Sequence, residues 1–237
     1  KAIELNSINA INNYAIMLMD DEEVNDKEEA INLYKMGIEK GNLRSMVLFA
    51  NELYLGKRIQ LNKQESFKYF KMAADREDPE GMLFYAQMLA DGDTVPVNKE
   101  EAAKYYKKSA DKGNSTSMYN YALMSQKGEG IPIDLDEAVK YYKIAIEKGN
   151  ADAMTSYANM MQKGDGIPID KEGAVKYYKI AIENGDTDAM TNYANMLYNG
   201  DGIPINKEEA IKYYKEAIDK GNASAMYNYG VTLDDKK

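Results

Sequence analysis

The sequence predicts an all-α fold: a right-handed α-α superhelix, or solenoid, of tandem helix-turn-helix repeats of about 36 residues. Three observations predict it. One aromatic recurs at Tyr14, Phe49, Tyr85, Tyr121, Tyr157, Tyr193 and Tyr229, in steps of 35 and then 36 residues. Apolar residues inside each repeat fall at helical spacing. Gly and Pro punctuate the helical stretches at fixed places.

Other positions keep the same beat. Met46, Met82, Met118, Met154, Met190 and Met226 recur, as do Ala30, Ser66, Ala102, Ala138, Ala174 and Ala210. The expected units are 6–41, 42–77, 78–113, 114–149, 150–185 and 186–221, with a half unit at 222–237. Residues 1–5 read as the end of a preceding helix, since Lys1–Asn6 (KAIELN) resembles Lys179–Asp186 (KIAIENGD). The sequence is therefore expected to belong to a longer chain or complex, with any targeting signal upstream.

The fifth unit shows the two halves. Met154, Tyr157, Ala158 and Met161 share one helical face, and Gly164 closes that helix. Ile167 precedes Pro168 and cannot continue it. Asp170 opens the second helix, whose stripe is Ala174, Tyr177, Tyr178, Ala181 and Ile182, and Gly185 closes it. Asp26…Glu29, Asn62…Glu65, Asn98…Glu101, Asp134…Glu137 and Asn206…Glu209 have the capping-box form. The fifth unit puts Gly173 in place of Glu, which predicts a weaker start there. The loop at 20–25 lacks Gly and Pro and the loop at 56–61 lacks Pro, so the N-terminal third should be less regular. A lone helix pair buries too little to offset its ordering entropy, so stability must come from stacking.

Composition narrows the function. The chain of 237 residues is 44% apolar and 29% charged, as a folded chain is. No stretch of about 18 uncharged apolar residues exists, so no membrane span is expected. A net charge of −9, with no basic run, argues against a nucleic-acid partner. Without Cys or His there is no Cys nucleophile, disulfide, Cys/His zinc site or histidine base. The lack of Cys fits a reducing, cytoplasmic compartment, and a secretory lumen stays open. No cofactor, metal site or catalytic residue is expected.

The run Met-x-x-Tyr-Ala-x-x-Met-x-x-Gly-x-Gly-Ile, Met154 to Ile167, resembles the Sel-1-like repeat. That family writes Ala-x-x-Leu-Gly-x-x-Tyr-x-x-Gly-x-Gly-Val, then Asp, Ala and an aromatic pair before Lys-x-Ala-Ala. Asp170, Ala174, Tyr177-Tyr178-Lys179 and Ala181 match the second part. Most units put Tyr-Ala for Leu-Gly, and Gly230 restores the Gly. The resemblance, to a cousin of the tetratricopeptide repeat, covers nearly the whole chain. It implies a non-catalytic scaffold or adaptor that binds a protein or peptide on the concave face lined by first helices.

The positions of the first helices that point off the apolar stripe are the candidate binding residues. They are Asn51, Tyr54 and Gln87 early on; Tyr119, Leu123 and Gln126 in the fourth unit; and Thr155, Asn159 and Gln162 in the fifth. Thr191, Asn195 and Tyr198 follow in the sixth, then Tyr227 and Val231. Tyr is a rigid, half-polar anchor, and a row of Asn suits a peptide backbone. The Tyr pairs at 105–106, 141–142, 177–178 and 213–214 are expected to pack as core, and the Gly-x-Gly loops to end helices. Asn114-Ser115-Thr116 and Asn222-Ala223-Ser224 match the glycosylation sequon. Two other readings remain: an architectural rod using its outer face or ends, and, less favoured, a hydrolase.

Overall fold

The computed structural model describes residues 8–20 and 26–234. The expected helix end at 1–5 and most of the loop at 20–25 lie outside them. Among the described residues there are thirteen α-helices and no strand. In chain order they are α1 (Ile8–Asp20), α2 (Lys27–Glu39), α3 (Leu43–Leu55), α4 (Lys63–Asp75), α5 (Pro79–Asp91), α6 (Lys99–Asp111) and α7 (Ser115–Lys127). Then come α8 (Leu135–Glu147), α9 (Ala151–Lys163), α10 (Lys171–Glu183), α11 (Thr187–Asn199), α12 (Lys207–Asp219) and α13 (Ala223–Asp234). The chain divides into two compact units, residues 1–117 with 129–131 and residues 118–128 with 132–237. In the first, α1 to α6 pack each on the next; in the second, α8 to α13 do the same. This is the tandem helix-pair solenoid that the period predicts.

Polar caps open the helices. Asn62, Asn98, Asp134, Asp170 and Asn206 each accept from the backbone N–H three residues on, at 2.8–3.1 Å, and Asp26 does so at 3.4 Å. The partner of the Glu differs from the expected box: in three units the cap's own Asn Nδ2 donates to it, as from Asn98 to Glu101 at 3.0 Å. Helix α10 starts in register despite Gly173, whose N–H still reaches Asp170 at 2.8 Å.

The first helices are capped just as regularly, which the sequence reading missed. Asn42, Asp78, Asn114, Asn150, Asp186 and Asn222 accept from the third amide on, at 2.7–3.0 Å. Each follows the residue that ends the helix before it. Gly185 donates to Ile182 O at 2.8 Å and Asp186 to Ala181 O at 3.0 Å, which satisfies the last carbonyls of α10. One residue thus finishes one helix and begins the next.

The loop inside each repeat is also tied down. The N–H of the second helix's cap returns to the first helix, as in Asp170 to Met161 O at 2.9 Å and Asn206 to Leu197 O at 2.9 Å. Gly166, at φ 71°, leaves no room for a Cβ against the Leu135 side chain that opens the preceding second helix. The Pro-less loop at 56–61 keeps the same return, Asn62 to Leu53 O at 2.9 Å, and Arg58 pins it further by bonding Asp20 at 2.6 Å.

Tyrosines knit the layers. The second member of each pair is buried: Tyr106, Tyr142, Tyr178 and Tyr214. The first member sits edge-on to the tyrosine of its own first helix: Tyr85–Tyr105, Tyr121–Tyr141, Tyr157–Tyr177 and Tyr193–Tyr213, with centroids 4.8–5.3 Å apart. In the second helices α4, α8, α10 and α12 a lysine then lies over the tyrosine of the next repeat, as Lys143 over Tyr157 at 5.7 Å and Lys179 over Tyr193 at 5.4 Å. Ala50, Ala86, Ala158 and Ala194 are fully buried and let helices approach closely.

One junction breaks the rule. Glu77 takes the left-handed position, φ 63°, where the other repeats have Gly. This backbone costs a non-Gly residue on the order of 1–2 kcal/mol. Its exposed ion pair with Lys112, at 2.9 Å, offsets only part of that. Glu77→Gly should move the urea midpoint upward, whereas Glu77→Ala, which removes the pair and keeps the strain, should move it downward; equilibrium denaturation reads both signs.

Candidate functional site

The first helices of the second unit present a polar groove. Along α9, Asp152, Ser156, Asn159 and Lys163 follow one another at spacings of four, three and four residues, so they share a face. Helix α7 flanks this face with Tyr119 and Leu123, and α11 with Asp188 and Asn192. The groove has two adjoining troughs, of about 330 Å³ and about 570 Å³, and both are lined by Ser156 and Asn159. Thr155 and Thr191 wall the first trough. Gln126, Lys127, Ile133 and Leu135 wall the second.

Much of the polar lining is already bonded. The Tyr178 hydroxyl donates to Asn159 Oδ1 at 2.6 Å, with Gln162 Oε1 at 3.0 Å as a second acceptor. Asn192 Nδ2 donates to the same Asn159 oxygen at 3.0 Å. One repeat on, Asn195 Oδ1 accepts from the Tyr214 hydroxyl at 2.6 Å and from Asn228 Nδ2 at 3.1 Å. The Tyr142 hydroxyl donates to Gln126 at 2.9 Å. Gln162 Nε2 donates to Asp201 at 2.7 Å; the Lys171 and Gln162 bonds hold that carboxyl below its usual range. Thr155 Oγ1 donates to Asp186 Oδ2 at 2.6 Å. Burial pushes the Tyr142 and Tyr178 hydroxyls well above the usual phenol range, and takes Tyr214, beside Tyr198, up to about 12. Desolvation, then the nearby Asp186 and Asp188, raises Asp152.

The candidate residues therefore separate. Tyr119, Leu123, Gln126 and Asn159 line the troughs. Thr155 and Thr191 border the first trough but are buried, contrary to the expectation that they point off the packed face. Tyr198 is buried too, under Lys207 at 4.6 Å from its ring centroid, because the neighbouring second helix covers that position. Gln162 and Asn195 are half-buried bonding partners of the buried tyrosines. Tyr227 and Val231 stand exposed on α13. Asn51, Tyr54 and Gln87 belong to the first unit; Asn51 and Tyr54 are half-buried, Lys63 lies over the Tyr54 ring at 5.4 Å, and Gln87 is exposed. Asp152, Ser156, Lys127 and Lys163 escaped the sequence reading, although a helical-wheel projection of α9 through Asn159 would have found three of them.

Motifs with a chemical look prove structural. Ser109-Ala110-Asp111-Lys112 has the Ser-x-x-Lys spacing of some hydrolases. Ser109 is fully buried, donates to Pro79 O at 2.6 Å and accepts from the Ser117 hydroxyl at 2.8 Å, while Lys112 pairs with Glu77. The sequon residues Asn114 and Asn222 are helix caps, and Asn222 Nδ2 donates to Thr187 Oγ1 at 3.1 Å and Asp188 Oδ1 at 2.7 Å. Among the described residues, no group of three or more His, Cys, Asp or Glu side chains is placed to hold a metal ion, and no helix is long and apolar enough to cross a membrane.

The model of the Sel1 repeat matches six times, at residues 8–42, 50–78, 79–114, 115–150, 151–186 and 187–222. The chain belongs to the Sel1 repeat family. Solved structures, a Sel1 repeat protein among them, share its fold. A protective antigen of uropathogenic Escherichia coli superposes with a TM-score of 0.84 at 19% identity, covering 99% of this chain and 50% of its own. The chain thus spans half the length of that antigen. A Sel1 repeat protein from Oxalobacter formigenes gives 0.79 at 24% identity, covering 89% of this chain and 85% of its own. An immunity protein from Pseudomonas aeruginosa gives 0.56 at 15% identity, covering 90% and 81%. No curated protein sequence matches the chain. Sel1 repeats generally mediate protein–protein interaction and are typically non-enzymatic.

Two outcomes follow from the bonded lining. Asn195→Ala removes the acceptor of the Tyr214 hydroxyl and should cost about 1–3 kcal/mol. Asn159→Ala should cost less, because Gln162 still accepts from Tyr178; urea titration of both variants gives the order. As for pH, Tyr34 and Tyr214 are held at about 12 in the fold by burial, against the ordinary 10.0. Above pH 10 the unfolded chain loses protons that the fold keeps, so their contribution is whole below pH 10 and declines up to about 12. Thermal melts from pH 8 to 12 should show a fall that begins near 10.

Proposed function

We propose that this chain is a non-catalytic scaffold that binds a protein or peptide along the first-helix surface of its second unit. The single observation behind the reading is the pair of adjoining troughs that meet at Ser156 and Asn159. Their inner wall is fixed by hydroxyls and amides bonded to one another, so a ligand meets a preformed surface and loses little to ordering it. Their exposed rim positions differ from repeat to repeat: Asp152, Asp188 and Ser224 share one register, and Lys127, Lys163 and Asn199 another. Helix positions released from packing in this way are where recognition can vary over a constant scaffold.

A second reading has its own observation. Helix α13 exposes Met226, Tyr227, Val231 and Leu233, at 62%, 74%, 47% and 45%. An apolar patch of this kind suits docking into a larger assembly.

Affinity capture with three forms of the protein separates the readings: wild type, Leu123→Arg with Ser156→Arg, and Met226→Lys with Val231→Lys, each checked for an unchanged melt. Partners lost only from the groove variant support the first reading. Partners lost only from the α13 variant move the function to that face, and equal capture by all three removes both.

A further inference from the structure

The groove has opposite ends, and this inference rests on the binding role just proposed for it. Helix α9 carries Asp152 at one end and Lys163 eleven residues on, a separation of about 16 Å at 1.5 Å per residue. Asp186 and Asp188 join Asp152, and no basic side chain lines that trough. Asp186 is occupied, capping α11 and accepting from Thr155, and Asp188 takes a bond from Asn222. Asp152 is exposed and, among the described residues, has no hydrogen-bond or ion-pair partner.

The far trough is of another kind. Lys127 and Lys163 both line it, exposed and unpaired among the described residues. Asp165 is the single carboxylate there, so basic charge is in excess. Beside the lysines lie Leu123 and Leu135, half-buried, and Ile133, 66% exposed. Between the troughs, Asn159 spends its oxygen on Tyr178 and Asn192 and keeps its Nδ2 donors for a carbonyl.

We infer that the groove takes an extended peptide segment that carries a basic side chain, then an apolar one, then an acidic one. The basic group sits against Asp152, the apolar side chain among Leu123, Ile133 and Leu135, and the acid between Lys127 and Lys163. A strand rises about 3.3 Å per residue, so roughly five residues separate the basic from the acidic position. Charge order fixes the direction of the bound segment as well as its composition. A wholly acidic segment meets Asp152 and a wholly basic one meets both lysines, so each is selected against.

The test uses a fluorescein-labelled peptide with neutral ends, Arg-Ser-Ser-Leu-Ser-Glu, and reads anisotropy against the full chain. Saturable binding is expected. Changing the peptide Arg to Gln should weaken binding about threefold to tenfold on the wild type and hardly at all on Asp152→Asn. Changing its Glu to Gln should do the same on the wild type and little on Lys127→Gln with Lys163→Gln. Absence of saturation up to about 1 mM, the weak end of measurable affinity, overturns the inference. So does a loss of the same size on wild type and variant, since the charges then do not meet. If the capture experiment localises a partner to the groove while these couplings vanish, the charge order falls and the binding role stands.

Discussion

The hydroxyl of the buried second tyrosine is the bond on which this architecture turns. Tyr178 and Tyr214 belong to second helices, and their rings fill the space between the layers. Their hydroxyls emerge at the first-helix layer, where Asn159 and Asn195 accept them at 2.6 Å. A phenylalanine would fill the same space and take away one of the two donors to each of those amide oxygens. A tyrosine joins the two layers of a repeat by a directional contact, and the asparagine passes the constraint on through Asn192 and Asn228 in the next first helix. Packing alone orders two helices weakly about their axes; the added bond fixes which side chains face outward.

This arrangement divides labour among polar groups that look alike. Asn159, Gln162, Gln126 and Asn195 are chemically suited to a peptide backbone, yet their oxygens are committed to tyrosines. What remains for a ligand is the outer layer: amide nitrogens, exposed charges and half-buried leucines. The result is a rigid inner wall with a variable rim. Rigid walls keep the ordering cost of binding low, and rims change without unfolding the repeat.

How much of this the sequence disclosed depends on the range of the interaction. The period, the helix pairs, the second-helix caps and the core role of Tyr142 and Tyr178 follow from local spacing, and the structure contains them. The caps of the first helices were hidden because Gly149-Asn150 or Gly185-Asp186 reads as a turn, although the second residue also starts a helix. Thr155, Thr191 and Tyr198 look free on a single helix and are covered only once neighbours stack, which no single-helix projection contains. The pairing of Asn159 with Tyr178 spans 19 residues and joins a polar position to an apolar stripe, so periodicity gave no hint of it.

Register comparison locates the freedom that remains. Asp152 corresponds to Arg44, Glu80, Thr116, Asp188 and Ser224, and Lys163 to Leu55, Asp91, Lys127 and Asn199. Neither register carries a core contact that must be kept, and both change charge along the chain. The buried registers behave differently: Ala50, Ala86, Ala122, Ala158 and Ala194 are identical, and Met46, Met82, Met118, Met154 and Met190 likewise. The same spacing that forces the core to repeat therefore leaves the outermost first-helix positions unconstrained by packing. Lysines fall at the end of α7 and α9 and carboxylates at the start of α9 and α11, so charge is sorted along the helix direction. A sorting along that axis in adjacent helices gives a groove with a sign at each end, and such a groove can read the direction of an extended chain.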